Sequence, residues 1–243
     1  MFEIETLDYS DVAKTIDHSL LRPELDSDTV LEGVRLALRY DVASATVRPA
    51  DVAAAARLVA GSDVMISTVV GFPHGSHTTA TKAFETEELI AAGADEIDMV
   101  LNIGRLISGE DDYVEGDIRA VVEAAQGRIV KVIFENAYLN DEQKIRACKL
   151  SAAAGAGFVK TSTGFASSGA TLEDLTLMRE HSPPGVQVKA AGGVRTLDAL
   201  LDVMRVGVTR VGATATETIL EDFKARKAGA AAPSDAPATS SAY

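Results

Sequence analysis

The chain has 243 residues, of which 47% are hydrophobic, and carries a formal net charge of -13. This apolar share supports a substantial core, whereas the acidic balance excludes the basic surface of a nucleic-acid-binding protein and attraction to an anionic membrane. Cys148 is the only cysteine, which excludes an intrachain disulfide and a cysteine cage for a metal. Because the N-terminal segment lacks a signal-peptide pattern and no apolar run reaches the length of a membrane span, we expect a cytoplasmic protein.

Eight short segments of β-forming residues follow one another along the chain, separated by segments with helical periodicity. The predicted strands are residues 15–20, 43–47, 64–70, 95–101, 129–135, 157–161, 186–190 and 208–212. Between them apolar residues recur every three to four positions, as at Val114, Ile118 and Val121, and glycines such as Gly93 and Gly155 follow helical segments. Eight such alternations predict an α/β fold of the (β/α)8 or TIM-barrel class.

The alternative fold is an open, doubly wound sheet. That fold would usually show a G-x-G-x-x-G segment after an early strand, and the chain has none. We therefore expect a single barrel domain over residues 1–227, with a short N-terminal extension. Residues 228–243 are rich in Ala, Pro and Ser and predict a flexible C-terminal tail, which ends in Tyr243.

Charged residues fall at or near the C-terminal ends of several predicted strands, which is where barrel enzymes place their active sites. They are Asp17, Asp98, Glu135, Lys160 and Lys189. Alternation along a strand also puts Glu96 on the same face as Asp98, and Lys131 on the same face as Glu135. One lysine at a strand end is most simply a surface residue, but two on neighbouring strands with carboxylates nearby indicate chemistry.

Two lysines facing a barrel axis have a specific chemical use. A second ammonium and partial desolvation favour the neutral amine of the first lysine, and only the neutral amine attacks a carbonyl to form a Schiff base. The protonated imine then acts as an electron sink for making or breaking a carbon–carbon bond, while a carboxylate shuttles protons. Lys160, Lys189 and Asp98 can supply these three roles.

Two other enzyme classes receive little support from the sequence. His74 and His77 lie in the segment HGSH, but neither a carboxylate nor a third histidine follows at a spacing that completes a metal site. We therefore expect no metal and no other cofactor. Asp17 and His18 could form part of a charge relay, but the serine-elbow motif of a hydrolase is missing.

Seven segments of the chain occur in the order seen in deoxyribose-phosphate aldolases, and the chain resembles that family over about residues 12–222. They are IDHSLL (16–21), GFPHG (71–75), GADEIDMVLNIG (93–104), KVIFENAYL (131–139), FVKTSTGF (158–165), VKAAGGVR (188–195) and RVGAT (210–214). The resemblance implies a metal-free class I aldolase on a (β/α)8 barrel. Such an enzyme reversibly cleaves 2-deoxy-D-ribose 5-phosphate to D-glyceraldehyde 3-phosphate and acetaldehyde through a lysine Schiff base.

The resemblance also assigns catalytic roles to individual residues. Lys160 would form the Schiff base, and Lys189 would favour its neutral amine. Asp98 would relay protons, and Asp17 would support the substrate or a water molecule. Some family members end in a tyrosine that assists proton transfer, and Tyr243 would act in the same way unless it is only the accidental last residue of a tail.

The substrate-binding set implied by the resemblance is less complete. Gly192 and Gly193 would offer backbone N–H groups to the phosphate at a helix N-terminus. The whole expected set is Thr161, Gly192, Gly193, Gly212 and Thr214. Three positions depart from the family pattern, because Ala191 replaces a serine, Ala215 replaces a second hydroxyl residue and Thr216 replaces a glycine.

These departures leave three functions open. The first is the standard aldolase, and the second is a Schiff-base aldolase of the same fold that takes a different or unphosphorylated aldehyde acceptor. The third is a non-catalytic phosphosugar-binding protein, which would need neither the lysine pair nor the proton relay. The expected partners are a small aldehyde or phosphosugar and further copies of the chain, as a homodimer or a higher homo-oligomer.

Overall fold

The computed structural model describes residues 4–230, which form a closed barrel of eight parallel strands. The strands are β1 (Ile16–Leu20), β2 (Ser44–Val47), β3 (Met65–Val70), β4 (Glu96–Val100), β5 (Ile129–Ile133), β6 (Phe158–Lys160), β7 (Gln187–Ala191) and β8 (Arg210–Ala213). Each strand pairs with the next along the chain, and β8 pairs with β1 to close the ring. The eight predicted strands and the (β/α)8 class are confirmed.

Helices follow the strands and surround the barrel. They are α1 (Tyr9–Ala13), α2 (Ser27–Arg39), α3 (Val52–Val59), α4 (Thr79–Ala92), α5 (Ile103–Ile107), α6 (Asp111–Ala124), α7 (Asp141–Ala153), α8 (Leu172–Glu180), α9 (Leu197–Arg205) and α10 (Thr216–Lys227). Polar residues set their starts, as where Asn140 and Gln143 form a reciprocal capping box before α7. Gly93 ends α4 at a φ of 108°, a conformation that glycine adopts without strain.

Both faces of the strands are buried, so the alternation of side chains decides what lies inside the barrel. On β4 the apolar Ile97 and Met99 alternate with Glu96 and Asp98, and all four are fully buried. The apolar residues belong to the core between strands and helices, where each large side chain contributes roughly 1.5–3 kcal/mol. The polar residues are left facing the barrel axis.

The structure describes only residues 228–230 of the predicted C-terminal tail. Helix α10 ends at Lys227, and residues 231–243, including Tyr243, lie outside the described residues. The flexible tail and its boundary with the barrel therefore stay predictions. Within residues 4–230, no helix has the length and apolar character needed to cross a membrane.

A buried ion pair joins α4 to α6. Lys82 Nζ donates to Asp117 Oδ2 at 2.5 Å and to the Val100 carbonyl oxygen at 2.9 Å, at the end of β4. The side chains of Lys82 and Asp117 are both fully buried, and Thr79 Oγ1 donates to the second carboxylate oxygen at 2.8 Å. Burial lowers the pKa of Lys82, and the neighbouring Asp117 opposes this shift.

A second buried contact fastens the start of α10 to β1. His18 Nδ1 lies 2.8 Å from Thr216 Oγ1, and both side chains are buried. Burial lowers the pKa of His18 from 6.5 to about 4, so the imidazole is neutral at pH 7. Because Asp17 faces the axis, its neighbour His18 faces the helices, where it takes no part in a charge relay.

We expect Asp117→Ala to lower the free energy of unfolding by about 3–5 kcal/mol, because it leaves the Lys82 ammonium buried without its partner. Glu115→Ala on the same helix is the matched control. Glu115 pairs with Arg119 in a partly exposed salt bridge, and its loss should cost less than about 1 kcal/mol. Urea unfolding at pH 7 measures both, and equal small losses would contradict a structural role for the buried pair.

The His18 contact predicts a pH dependence of stability. The folded pKa lies below the unfolded value, so the unfolded chain binds more protons between pH 6.5 and pH 4. The stability due to the neutral imidazole is complete above pH 6.5 and is lost as the pH falls toward 4. Between pH 7 and pH 4.5, the wild type should lose about 2 kcal/mol more unfolding free energy than His18→Asn. Parallel losses in urea titrations would refute this.

Candidate active site

Seven charged side chains meet on the barrel axis. They are Asp17 of β1, Glu96 and Asp98 of β4, Lys131 of β5, Lys160 of β6, Lys189 of β7 and Arg210 of β8. None is more than 7% exposed. In the strand register Lys160 lies opposite Lys189, Lys189 lies opposite Arg210, and Asp98 lies opposite Lys131. Residues in register on parallel strands point to the same side, which brings these groups together.

Asp98 is the centre of this cluster. Its Oδ2 accepts hydrogen bonds from Lys160 Nζ and Lys189 Nζ, both at 2.7 Å, and its Oδ1 accepts from Lys131 Nζ at 2.9 Å. Burial alone would raise the pKa of Asp98, but Lys131, Lys160 and Lys189 outweigh it and hold that pKa well below its usual range. Asp98 is therefore an ionised acceptor that touches both lysines singled out by the sequence.

Asp17 holds the other side of Lys189. Lys189 Nζ lies 2.6 Å from Asp17 Oδ2, while Ser44 Oγ and Arg210 Nε donate to Asp17 Oδ1 at 2.7 and 2.9 Å. Burial would raise the pKa of Asp17, but Lys189, Arg210 and Lys131 outweigh it and lower that pKa. Both carboxylate oxygens are thus engaged by protein groups. Asp17 therefore lies against Lys189, and its support of substrate or water stays a prediction.

The sequence assigned no role to the lower part of the cluster. Lys131 Nζ donates to Glu96 Oε2 at 2.6 Å, and Arg210 donates to both oxygens of Glu96, at 3.0 and 2.7 Å. Alternation had placed Glu96 and Lys131 on the axis but did not single out Arg210, which shares a face of β8 with Gly212. The complete cluster holds four basic groups against three carboxylates.

Glu135 does not join this cluster, although alternation along a strand 129–135 predicted the same face as Lys131. Strand β5 ends at Ile133, and Glu135 adopts a left-handed conformation with a φ of 57°. Phe134 N donates to Lys160 O, but Asn136 N donates to Thr161 O, so an extra residue bulges out of the β5 ladder at Glu135. The sequence carries no glycine there to signal the bulge.

The bulge turns the Glu135 carboxylate toward the segment that follows Lys160. It accepts hydrogen bonds from Thr163 Oγ1 and from Thr163 N, the latter at 3.3 Å to each oxygen. Glu135 is 2% exposed, and among the described residues no lysine or arginine pairs with it at salt-bridge distance. Burial raises the pKa of Glu135, against the opposing effect of the Thr163 hydrogen bonds.

The expected phosphate-binding residues come together at the ends of β7 and β8. Gly192, Gly193, Gly212 and Thr214 line one small pocket, together with Arg195 and two further residues. Gly192 must be a glycine, because its φ is 83° and a Cβ added to it would come within 2.8 Å of Gly169 Cα. Helix α9 begins only at Leu197, so the two glycines precede it in a loop and do not form its first turn.

Two threonines near this pocket are engaged elsewhere. Thr161 Oγ1 donates to Ala191 O at 3.1 Å and accepts from Ala191 N at 3.0 Å, which fastens β6 to β7. The contact of Thr161 with the substrate, which the resemblance implied, stays a prediction. Thr216 is fully buried against His18, so Thr214 is the exposed hydroxyl residue of the β8 loop.

Three candidates from the sequence remain, Tyr243, His74 and His77. Tyr243 lies outside the described residues. His74 and His77 are exposed, and within residues 4–230 no group of three His, Cys, Asp or Glu side chains is arranged to hold a metal ion.

Known proteins share both the sequence and the fold. A family model described as DeoC/LacD family aldolase matches residues 12–232. A deoxyribose-phosphate aldolase of Bacillus cytotoxicus is 50% identical over 210 residues, covering 86% of this chain and 94% of that protein. One from Clostridium perfringens is 50% identical over 216 residues, covering 88% and 96%.

A solved structure supports the same relationship. The tetrameric deoxyribose phosphate aldolase from Aeropyrum pernix superimposes with a TM-score of 0.83 at 29% sequence identity, covering 90% of this chain and 93% of that chain. With the family model matching most of the barrel and curated relatives at half identity, the family suggested by the sequence motifs is confirmed. The chain belongs to the DeoC/LacD family of aldolases.

Proposed function

We propose that this protein is a deoxyribose-phosphate aldolase, which reversibly cleaves 2-deoxy-D-ribose 5-phosphate to D-glyceraldehyde 3-phosphate and acetaldehyde. The observation that carries the proposal is the Asp98 oxygen shared by Lys160 and Lys189, each at 2.7 Å. The amine proposed as nucleophile and a second lysine thus both contact one ionised carboxylate, which can accept a proton. The relatives named deoxyribose-phosphate aldolase support the choice of substrate.

The number of ionic contacts distinguishes the nucleophile from the other lysines. Lys189 is held by two carboxylates, Asp17 and Asp98, and Lys131 is held by Glu96 and Asp98. Among residues 4–230, Asp98 is the one carboxylate that pairs with Lys160 Nζ, and Lys160 ends its strand at the mouth of the barrel. It therefore has the fewest contacts to give up when it reacts, and we assign the Schiff base to Lys160.

Cleavage follows from this arrangement in balanced steps. The neutral amine of Lys160 attacks the substrate C1 carbonyl, and loss of water gives the iminium. The C2–C3 bond then breaks, its electron pair moves into the iminium to give an enamine, and the C3 hydroxyl loses its proton as C3 becomes the carbonyl of the released aldehyde. The enamine is protonated and hydrolysed to acetaldehyde, with Asp98 relaying protons and Lys189 supplying the neighbouring charge.

The substrate phosphate is assigned to the pocket of Gly192, Gly193, Gly212 and Thr214, where backbone N–H groups can meet an anion. A specific observation keeps the unphosphorylated acceptor as the second candidate. Ala215 has no hydroxyl, and the Thr216 hydroxyl is committed to His18, so this loop offers an anion fewer side-chain donors than the usual family pattern.

The proposal also covers the oligomeric state of the enzyme, its cellular location and the role of Tyr243. The tetramer formed by the Aeropyrum pernix relative supports a homo-oligomer. The acidic composition with a single cysteine fits a cytoplasmic location. Tyr243 is assigned to proton transfer at the methyl carbon of acetaldehyde.

The Schiff base is tested by trapping. Acetaldehyde with borohydride should place a covalent adduct on Lys160, and Lys160→Ala should lose both trapping and cleavage. Asp98→Asn should lower the cleavage rate by about 10²-fold or more, because the proton acceptor is gone. Lys149→Ala, which removes an exposed lysine of α7, should keep full activity. Peptide mass spectrometry locates the adduct, and its appearance on Lys189 or Lys131 would overturn the assignment.

The phosphate assignment is tested by comparing substrates. The value of kcat/KM for 2-deoxyribose 5-phosphate should exceed that for 2-deoxyribose, and Ala215→Ser with Thr216→Gly should lower KM for the phosphorylated sugar only. A preference for 2-deoxyribose in the wild type would favour the unphosphorylated acceptor. If the double variant leaves both substrates unchanged, the β8 loop is not the anion site.

A further inference from the structure

Two buried hydroxyl groups at the barrel mouth have no hydrogen-bond partner within residues 4–230. Ser162 is fully buried and Thr46 is 2% exposed, and neither Ser162 Oγ nor Thr46 Oγ1 contacts a donor or acceptor of the described chain. Buried hydroxyls are usually satisfied, because an unpaired one loses its hydrogen bonds to water without replacement. Both residues therefore need an explanation that the ionic cluster does not supply.

Ser162 lies just above Lys160. Thr161 N donates to Lys189 O at 3.2 Å and Asn136 N donates to Thr161 O at 3.0 Å, so strand-like pairing to both neighbours continues one residue beyond β6. Alternation along this extended segment puts Ser162 on the same side as Lys160, one step nearer the mouth. Glu135 fixes the next residue, Thr163, so the position of Ser162 is set from both ends.

Thr46 faces the axis from the opposite wall. It lies in register with Ser67, whose Oγ donates to Asp98 Oδ1 at 3.3 Å, so this side of β2 and β3 faces the cluster. Strands β2 and β6 are four positions apart in a ring of eight, which puts them across the axis from each other. A carbon chain bound to Lys160 would pass between the two hydroxyls.

The chemistry of the two groups fits oxygen atoms on that carbon chain. A hydroxyl donates one hydrogen bond and accepts others, so it can pair with both the O–H and the lone pairs of a substrate hydroxyl, or with the lone pairs of a carbonyl. The carboxylates of the cluster are occupied by lysines and an arginine, so they cannot serve the same purpose without losing those contacts. The phosphate pocket lies elsewhere, at β7 and β8.

We propose that Ser162 and Thr46 are further catalytic residues, which bind the oxygen atoms of the open-chain substrate beside the bond that breaks. This inference rests on the proposed function. In it, the Ser162 hydroxyl donates a hydrogen bond to the oxygen on C3 of the substrate. As the C2–C3 electron pair moves into the iminium, this oxygen carries the growing negative charge left by its departing proton. A donor fixed at that point stabilises the transition state more than the ground state. The hydroxyl keeps its own proton throughout.

The acetaldehyde half of the reaction separates this role from a structural one. Exchange of solvent deuterium into the methyl group of acetaldehyde requires the Schiff base and the enamine but involves no C3 oxygen. Ser162→Ala should lower kcat/KM for cleavage of 2-deoxyribose 5-phosphate by about 10- to 100-fold. The same variant should lower the rate of acetaldehyde exchange by less than about threefold. Thr46→Val, which keeps the shape of the side chain, should likewise lower the cleavage rate more than the rate of acetaldehyde exchange.

Ser151→Ala is the matched control. Ser151 is also fully buried with a hydroxyl that finds no partner among the described residues, but it lies on α7, outside the barrel. Both of its reaction rates should equal those of the wild type. Ser162→Cys, which preserves volume and offers only a weak donor, replaces Ser162→Ala if thermal melting shows that the latter is unfolded.

The outcomes are distinct. Unchanged cleavage in both hydroxyl variants overturns the inference, and so does an equal fall of cleavage and exchange, since that marks a structural defect. If the wild type fails to trap acetaldehyde at all, the proposed aldolase function fails, whatever the variants show. Selective loss of cleavage with intact exchange supports the inference.

Discussion

The active site depends on one buried carboxylate that three lysines share. Asp98 contacts Lys131, Lys160 and Lys189, and none of these four side chains is more than 4% exposed. Burying charged groups costs free energy unless each of them has a partner. The barrel must therefore place all three lysines within hydrogen-bond distance of the Asp98 carboxylate. It does so by register, because neighbouring parallel strands point their paired residues to the same side.

The rest of the cluster anchors this centre and makes the lysines unequal. Asp17 pairs with Lys189, and Glu96 pairs with Lys131. Arg210 forms salt bridges with both of these carboxylates. Lys160, at the open end of the barrel, has a single ionic partner in the part of the chain that the structure describes. Lys131 and Lys189 are therefore each paired with more than one carboxylate, which is the difference on which the assignment of the Schiff base to Lys160 is proposed.

The mouth of the barrel divides into regions with different chemistry. Glycine backbone and Thr214 at β7 and β8 suit an anion, whereas the unpartnered hydroxyls of Thr46 and Ser162 suit neutral oxygens along a carbon chain. Glu135 holds Thr163 in the segment after β6, and His18 holds Thr216 at the start of α10 after β8. A bound phosphosugar would use both regions at once, with its aldehyde end at Lys160.

The barrel, its eight strands, the family and the grouping of Lys160 with Lys189 and Asp98 could all be predicted from the amino-acid sequence. These features are local or periodic: apolar runs mark strands, two-residue alternation sorts faces, and motifs such as KTSTGF are contiguous. The sequence could not predict which carboxylate pairs with which lysine, because contacts across the axis depend on the stagger of strands that are distant in the chain. The tertiary structure also turned Glu135 away from the cluster through a backbone bulge without a glycine, and committed Thr161 and Thr216 to structural hydrogen bonds. Arg210 entered the site for the same reason, since its two carboxylate partners come from strands 193 and 114 residues away along the chain.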